Sequence, residues 1–165
     1  MKVRPLTLAD LPQVMAIQDE CYPDVGHDSV EIFADKLRVY PTGCFAVVVE
    51  GRVGGYLFSH PWTYLRAATL DRPLVLPPNP DCYYLHDLAV APWCRGRGAA
   101  QAMVEAGLLE SGPLEIQALV AVHSTQPFWS GFGFRDLADP PVALRLKLLD
   151  YSPDASYMVR GFPEA

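Results

Sequence analysis

The sequence predicts an α/β or α+β fold built on one mixed sheet. Stretches with helical spacing alternate with β-branched runs, the helices lie between two strand-rich halves, and no repeating βαβ order appears. The chain has 165 residues, half of them apolar and 19% charged. That suits one domain, which would bury about 70% of the surface its unfolded form exposes.

Each element has a local reason. Val3 to Pro5 reads as a short first strand. Asp10 precedes LPQVMAIQDECY, where Leu11, Val14, Met15, Ile17 and Gln18 fall at helical spacing and Pro12 is tolerated in the first turn. Ser29 opens a second helix, VEIFADKLRVY, with Val30, Phe33, Leu37 and Tyr40 on one side, ended by Pro41 and Gly43. CFAVVVE and RVGGYLFSHPWT are β-rich and joined through Gly51 as a hairpin. Residues 64 to 82 are proline-rich without a period, a loop of the length usually kept for function. YYLHDLAV is the next strand, closed by Pro92, and Gly98 to Leu109 is a helix stopped by Ser111, Gly112 and Pro113. LEIQALVAV is a further strand, followed by a short helix over Thr125 to Gly131, the FGFRD segment, and a strand or strands near VALRLKLLDY and SYMVRGF.

Charge narrows the function. Nineteen acidic against thirteen basic residues argue against a nucleic-acid surface and leave room for a cationic partner. MKVRPLTLADLPQ has no apolar leader core and no run is long enough to span a bilayer, so the reading is cytoplasmic, with no membrane partner. Cys21, Cys44, Cys82 and Cys94 are scattered, with no CxxC pair and no metal-ligand spacing, which favours buried thiols and no metal. Of the four, Cys94, beside arginines near a helix start, is the one whose pKa such surroundings would lower.

The most informative stretch is LAVAPWCRGRGAAQ, residues 88 to 101. A strand that runs into a glycine-rich helix start exposes backbone N–H groups and the positive end of a helix dipole. Gly96 and Gly98 permit close approach of an anion, and Arg95 and Arg97 add charge, so the turn is an anion site compatible with a diphosphate. A P-loop is excluded for want of GxxxxGK followed by Ser or Thr, and the dinucleotide fingerprint fails where Gln101 replaces its third glycine. What remains is R-x-x-G-x-A, residues 95 to 100.

Arg95-x-x-Gly98-x-Ala100 after LAVAP resembles the acetyl-CoA motif of the GNAT N-acetyltransferase superfamily, and QPFWSGFGFRD resembles that family's F-Y-x-x-x-G-F signature. The resemblance implies one GNAT domain over residues 1–165, a central mixed, mostly antiparallel sheet flanked by helices, and acetyl-CoA as cosubstrate. Leu88, Ala89 and Val90 would meet pantetheine; Arg95, Gly96, Arg97, Gly98, Ala99, Ala100 and Gln101 would hold the pyrophosphate, with Trp129 against the cofactor. Within the superfamily, the hairpin, long loop and YYLHDLAV resemble the arylalkylamine (serotonin) N-acetyltransferases, with His86 at the second of that group's two strand histidines and Tyr84 at the first.

Such chemistry needs a base, since an amine with a pKa of about 10.4 must lose a proton before it attacks a thioester. Alternation places Tyr84, His86 and Leu88 on one face of the strand and Leu85, Asp87 and Ala89 on the other, which makes His86 the candidate base and Asp87 structural unless a bulge turns it inward. His123 is the second choice of base. Backbone N–H groups near Leu88 would stabilise the oxyanion if the resemblance holds. The family usually has a tyrosine acid where this chain has Trp129, and indole cannot supply that proton; Tyr84 and Tyr157 are the substitutes, unless the CoA thiolate leaves without help. The expected activity is direct transfer from acetyl-CoA to a primary amine, a small arylalkylamine first. A polyamine, amino acid or protein N-terminus is an alternative acceptor, and a homodimer is open. An acyl-CoA sensor without catalysis is the rival reading, and a dinucleotide-binding domain comes third.

Overall fold

The computed structural model describes residues 1–24 and 27–161. The chain runs β1 (Lys2–Pro5), α1 (Leu11–Cys21), α2 (Val30–Val39), β2 (Cys44–Val49), β3 (Arg52–Trp62), β4 (Cys82–Val90), α3 (Ala99–Glu110), β5 (Gln117–Ala121), α4 (Gln126–Ser130), β6 (Arg135–Asp136), α5 (Val142–Leu148) and β7 (Ser156–Arg160). Seven strands form one mixed sheet in the order β1-β2-β3-β4-β5-β7-β6. Every pairing is antiparallel except that of β4 with β5.

The hairpin between β2 and β3 turns on Glu50 and Gly51, both left-handed at φ 50° and 78°, a geometry that glycine adopts without strain. Alternation along β3 then sorts the core. Tyr56 and Phe58 join Leu11, Val14, Ile17 and Phe33 under α1 and α2, whereas Leu57 joins Met103 and Val104 of α3 on the opposite face. A third cluster gathers Tyr84, Leu144, Leu148 and Tyr157 beneath the loop that follows β3.

Two sequence expectations change. The VALRLKLLDY segment is not a strand: residues 142–148 form α5. Val142, Leu144, Leu146 and Leu148 repeat at a spacing of two, which imitates a strand, but Pro141 starts a helix that buries Leu144 and Leu148 and leaves Val142 and Leu146 exposed. In α2 the inward face includes Ile32 and Lys36 rather than Val30, because Lys36 is drawn inward to an ion pair with Asp28. Within SYMVRGF, Ser156 to Arg160 form β7 and Phe162 lies outside the described residues.

The start of α1 is pinned to β1. Asp10, 5% exposed, takes two hydrogen bonds from the Arg4 guanidinium at 2.7 and 2.9 Å and one from the Thr7 backbone at 2.8 Å. The Arg4 contact, with help from Thr7, holds the Asp10 carboxyl down at about 2. A carboxylate depressed from 3.8 stabilises the fold above that ordinary value and loses the contribution as pH falls through about 2. Asp10→Ala should therefore cost about 2 kcal/mol near neutrality, and urea melts on wild type and variant should converge as the solution is acidified.

Candidate active site

Strand β4 is paired on both sides only at its beginning. Tyr83, Tyr84 and Leu85 face Gln117, Ala118 and Leu119 of β5, and beyond them the parallel ladder stops while β4 runs on to Val90. A cleft of about 420 Å³ opens there, bounded by His86 to Val90 on one side and Val120, Val122 and His123 on the other. In a strand, the N–H and C=O of one residue leave on the same side and neighbours alternate. The Leu88 carbonyl accepts from the Tyr22 hydroxyl at 2.5 Å, and the Val90 carbonyl from Arg95 Nε at 3.2 Å, so both residues turn their amides away from β3 and into the gap. The Ala89 carbonyl faces Gly55 instead.

At the end of β4 the chain passes through Pro92–Cys94 and reaches α3 with Gly96 and Gly98 left-handed at φ 75° and 78°. Gly98 N-caps α3, and its carbonyl takes the first helical bond from Ala102, which leaves the N–H groups of Ala99, Ala100 and Gln101 without an intrahelical acceptor. Arg95, Gly96, Arg97 and Gly98 are exposed. This donor set, with two guanidinium groups and nothing within 4 Å of a β-carbon placed on either glycine, fits a diphosphate. Cys94 is fully buried against Gly54, so no reactive thiol stands at the turn. Trp129 is 7% exposed, packs edge-on to Phe128 and Phe134, and borders the cleft.

A bulge decides which groups of β4 face the cleft. Phe58 pairs with Asp87 but Ser59 with Leu85, so His86 is the extra residue and strict alternation fails. Both His86 and Asp87 border the cleft. Asp87, which alternation turned away, accepts from the Tyr56 hydroxyl at 3.2 Å, and burial pushes its carboxyl up to about 7. His86 moves the other way: burial, the nearby Lys36 charge and His60 all disfavour its protonation.

The tautomers of the two histidines follow from their partners. His60 Nδ1 is 2.9 Å from the Pro61 carbonyl and must donate to it, so His60 Nε2 accepts from His86 Nδ1 at 3.0 Å. His86 Nε2 then carries a lone pair, and among the described residues this buried atom has no hydrogen-bond partner. His123, the other histidine on the cleft, stacks on Tyr22 with ring centroids 5.9 Å apart, bridging the two sides of the gap.

Tyr84 and Tyr157 stand elsewhere. Tyr157 accepts from the Leu65 amide at 3.0 Å and Tyr84 from the Ala68 amide at 3.5 Å, both under the 63–81 loop and away from the cleft. Tyr22 and Tyr151 are the tyrosines that border it. Asp28, just before α2, is 4% exposed, paired with Lys36, and also borders the cleft. Among the described residues, no three of His, Cys, Asp and Glu gather so as to hold a metal ion, and no helix is long and apolar enough to cross a membrane.

The raised carboxyl has a stability signature. Since folding lifts Asp87 from 3.8 to about 7, the native state binds its proton more tightly, and stability drains as pH rises between those values. Asp87→Asn escapes this loss while keeping an acceptor for Tyr56. Thermal melts should show the variant gaining on wild type from about pH 4 to about pH 7 and levelling off above; an unchanging difference would mean that Asp87 titrates normally.

Comparison with known proteins places this arrangement. The sequence profile described as Acetyltransferase (GNAT) family matches residues 11–134. No curated protein matches the sequence. Among solved structures, the loading GNATL domain of CurA from Lyngbya majuscula superposes with a TM-score of 0.74 at 13% identity, covering 97% of this chain and 96% of that one. Ard1 from Thermoplasma volcanium gives 0.72 at 18%, covering 99% and 98%. The GphF GNAT-like decarboxylase, in complex with isobutyryl-CoA, gives 0.70 at 16%, covering 98% and 99%. At these identities the likeness to the solved structures is one of fold.

Proposed function

The chain belongs to the Acetyltransferase (GNAT) family, and from that premise we propose that it is an acetyl-CoA-dependent N-acetyltransferase, one domain over residues 1–165, that acts on a small primary amine by direct attack. The observation that carries the reading is the open gap beside β4, with an anion seat at one end and two unsatisfied or shifted proton acceptors at its floor.

Arg95, Arg97 and the backbone from Gly96 to Gln101 hold the diphosphate of acetyl-CoA, and the amides of Leu88 and Val90, facing the gap, meet its pantetheine arm. The Leu88 N–H is also the donor nearest to where negative charge grows on the acyl oxygen. Trp129 lies against the cofactor as a flat apolar wall. His86 Nε2 receives a hydrogen bond from the acceptor nitrogen and orients it; a ring so reluctant to protonate is better suited to that than to keeping the proton. Asp87, half ionised near neutrality, takes the proton that the ammonium sheds before attack and passes it to solvent through the open cleft, and the second proton, lost from nitrogen as the amide forms, leaves by the same route. With Tyr84 and Tyr157 outside the cleft, and the Tyr22 and Tyr151 hydroxyls donating to the Leu88 and Ala68 carbonyls, the CoA thiolate leaves unprotonated, which its pKa allows.

The resemblance to arylalkylamine acetyltransferases makes a small arylalkylamine the first acceptor to try, and Tyr22, Phe128 and Tyr151 give the cleft aromatic surface to match. The sensor reading rests on Trp129, which removes the family's usual acid.

Thiol release from acetyl-CoA should be followed with phenylethylamine, tryptamine, spermidine, free amino acids and an N-terminal peptide, against a control without acceptor. Saturable release is expected, with kcat rising with pH through about 7 as Asp87 ionises. Asp87→Asn should lower kcat about 100-fold or more with acetyl-CoA binding unchanged. Binding of acetyl-CoA with no release for any amine would favour the sensor.

A further inference from the structure

A second hollow, of about 750 Å³, lies within the 63–78 segment, and His86 borders both it and the cleft. The two cavities share a boundary. Asp28 borders the cleft while its ion-pair partner Lys36 borders the hollow, and Leu70 borders the cleft while its neighbour Thr69 borders the hollow. The segment is tied down from several sides: Asp28 accepts from the Asp71 amide at 2.7 Å, Asp35 from the Leu74 amide at 2.8 Å, and Asp81 from the Tyr64 amide at 2.7 Å.

The charge of the hollow is opposite to that of the protein. Lys36, Arg66 and Arg72 line it and, among the described residues, no carboxylate does, in a chain of net charge -6. Lys36 is balanced by Asp28. Arg66 is exposed and lies 5.8 Å over the Trp62 ring, and Arg72 is exposed; among the described residues neither has a carboxylate partner. The nearby carboxylates, Asp28, Asp35, Asp71 and Asp81, are all bonded to backbone amides of the loop regions they brace.

We propose that this hollow is a subsite for a carboxylate carried by the acceptor, with Arg66 and Arg72 as its ligands and His86 at the junction with the reacting nitrogen. The acceptor is then an amine with an anionic end and an apolar or aromatic body, which Trp62 and Leu74 would flank. The inference rests on the reading that the cleft transfers an acyl group to an amine. An acceptor N–H is also the partner that the buried His86 Nε2 lacks.

Matched pairs test it: tryptophan against tryptamine, 4-aminobutyrate against butylamine, and 6-aminohexanoate against hexylamine. Their N-acetylated forms are titrated by calorimetry into the full chain with CoA, using wild type, Arg66→Ala/Arg72→Ala and Arg66→Lys/Arg72→Lys, and the free amines are assayed for thiol release. In at least one pair the carboxylate member should bind wild type about tenfold more tightly, with the preference lost in the alanine variant and partly kept in the lysine variant, and with CoA affinity unchanged. Equal binding within every pair, a preference that survives the alanine variant, or no binding at all overturns the subsite. A preference that behaves as expected while no amine yields thiol overturns the transfer reading and leaves the subsite standing.

Discussion

Strand β4 has two neighbours along its first half and one along its second, and the site grows from that asymmetry. Parallel strands pair evenly only while both continue in register; β5 holds β4 for three residues and then keeps company with β7 alone. The amides of Leu88 and Val90 are left facing an open gap at the middle of the sheet rather than a ladder. Unpaired backbone inside a protein must find other partners. Tyr22, Cys21 and Arg95 take the two carbonyls, while the N–H groups remain available to a ligand.

The bulge at His86 sets the chemistry of the gap's floor. A single extra residue breaks the alternation that would have hidden Asp87, so a histidine and a carboxylate sit side by side at the same opening. The same poor solvation acts on both in opposite senses, because it penalises whichever form is charged. Asp87 rises toward neutrality and His86 is kept uncharged, so a weakly solvated carboxylate and a neutral histidine border one cleft.

Around this floor the fold spends polar groups on bracing. Gln18 clamps Asp28 through both its backbone N–H and C=O, Asp28 meets Lys36 and the Asp71 amide, and the 63–81 loop hangs from these contacts and from Tyr84, Tyr151 and Tyr157. Buried charges cost free energy unless each lone pair and proton is matched. Here the matching also joins α2 to the loop at the boundary where the two cavities meet, with Asp28 bordering one and Lys36 the other.

Much of this was legible in the chain. The hairpin at Gly51, the helices from Leu11 and Val30, the long loop and the glycine-arginine start of α3 all follow from local rules whose range is a few residues. The resemblance carried by Arg95, Gly98 and Ala100 pointed to the family because a glycine- and arginine-rich helix start is itself a local pattern. Val142 to Leu148 misled because a short apolar run fits both periods, and only packing against Tyr84 and Tyr157 chooses the helix. Asp87, His60 and Lys36 could not be found as site groups from sequence, since a bulge, a contact across 26 residues and an inward-facing lysine depend on partners distant in the chain. Sequence alone thus determined the family and the local backbone of the glycine- and arginine-rich helix start. The tertiary structure decided which side chains meet beside it, because desolvation and shared proton positions exist only once separate segments are packed together.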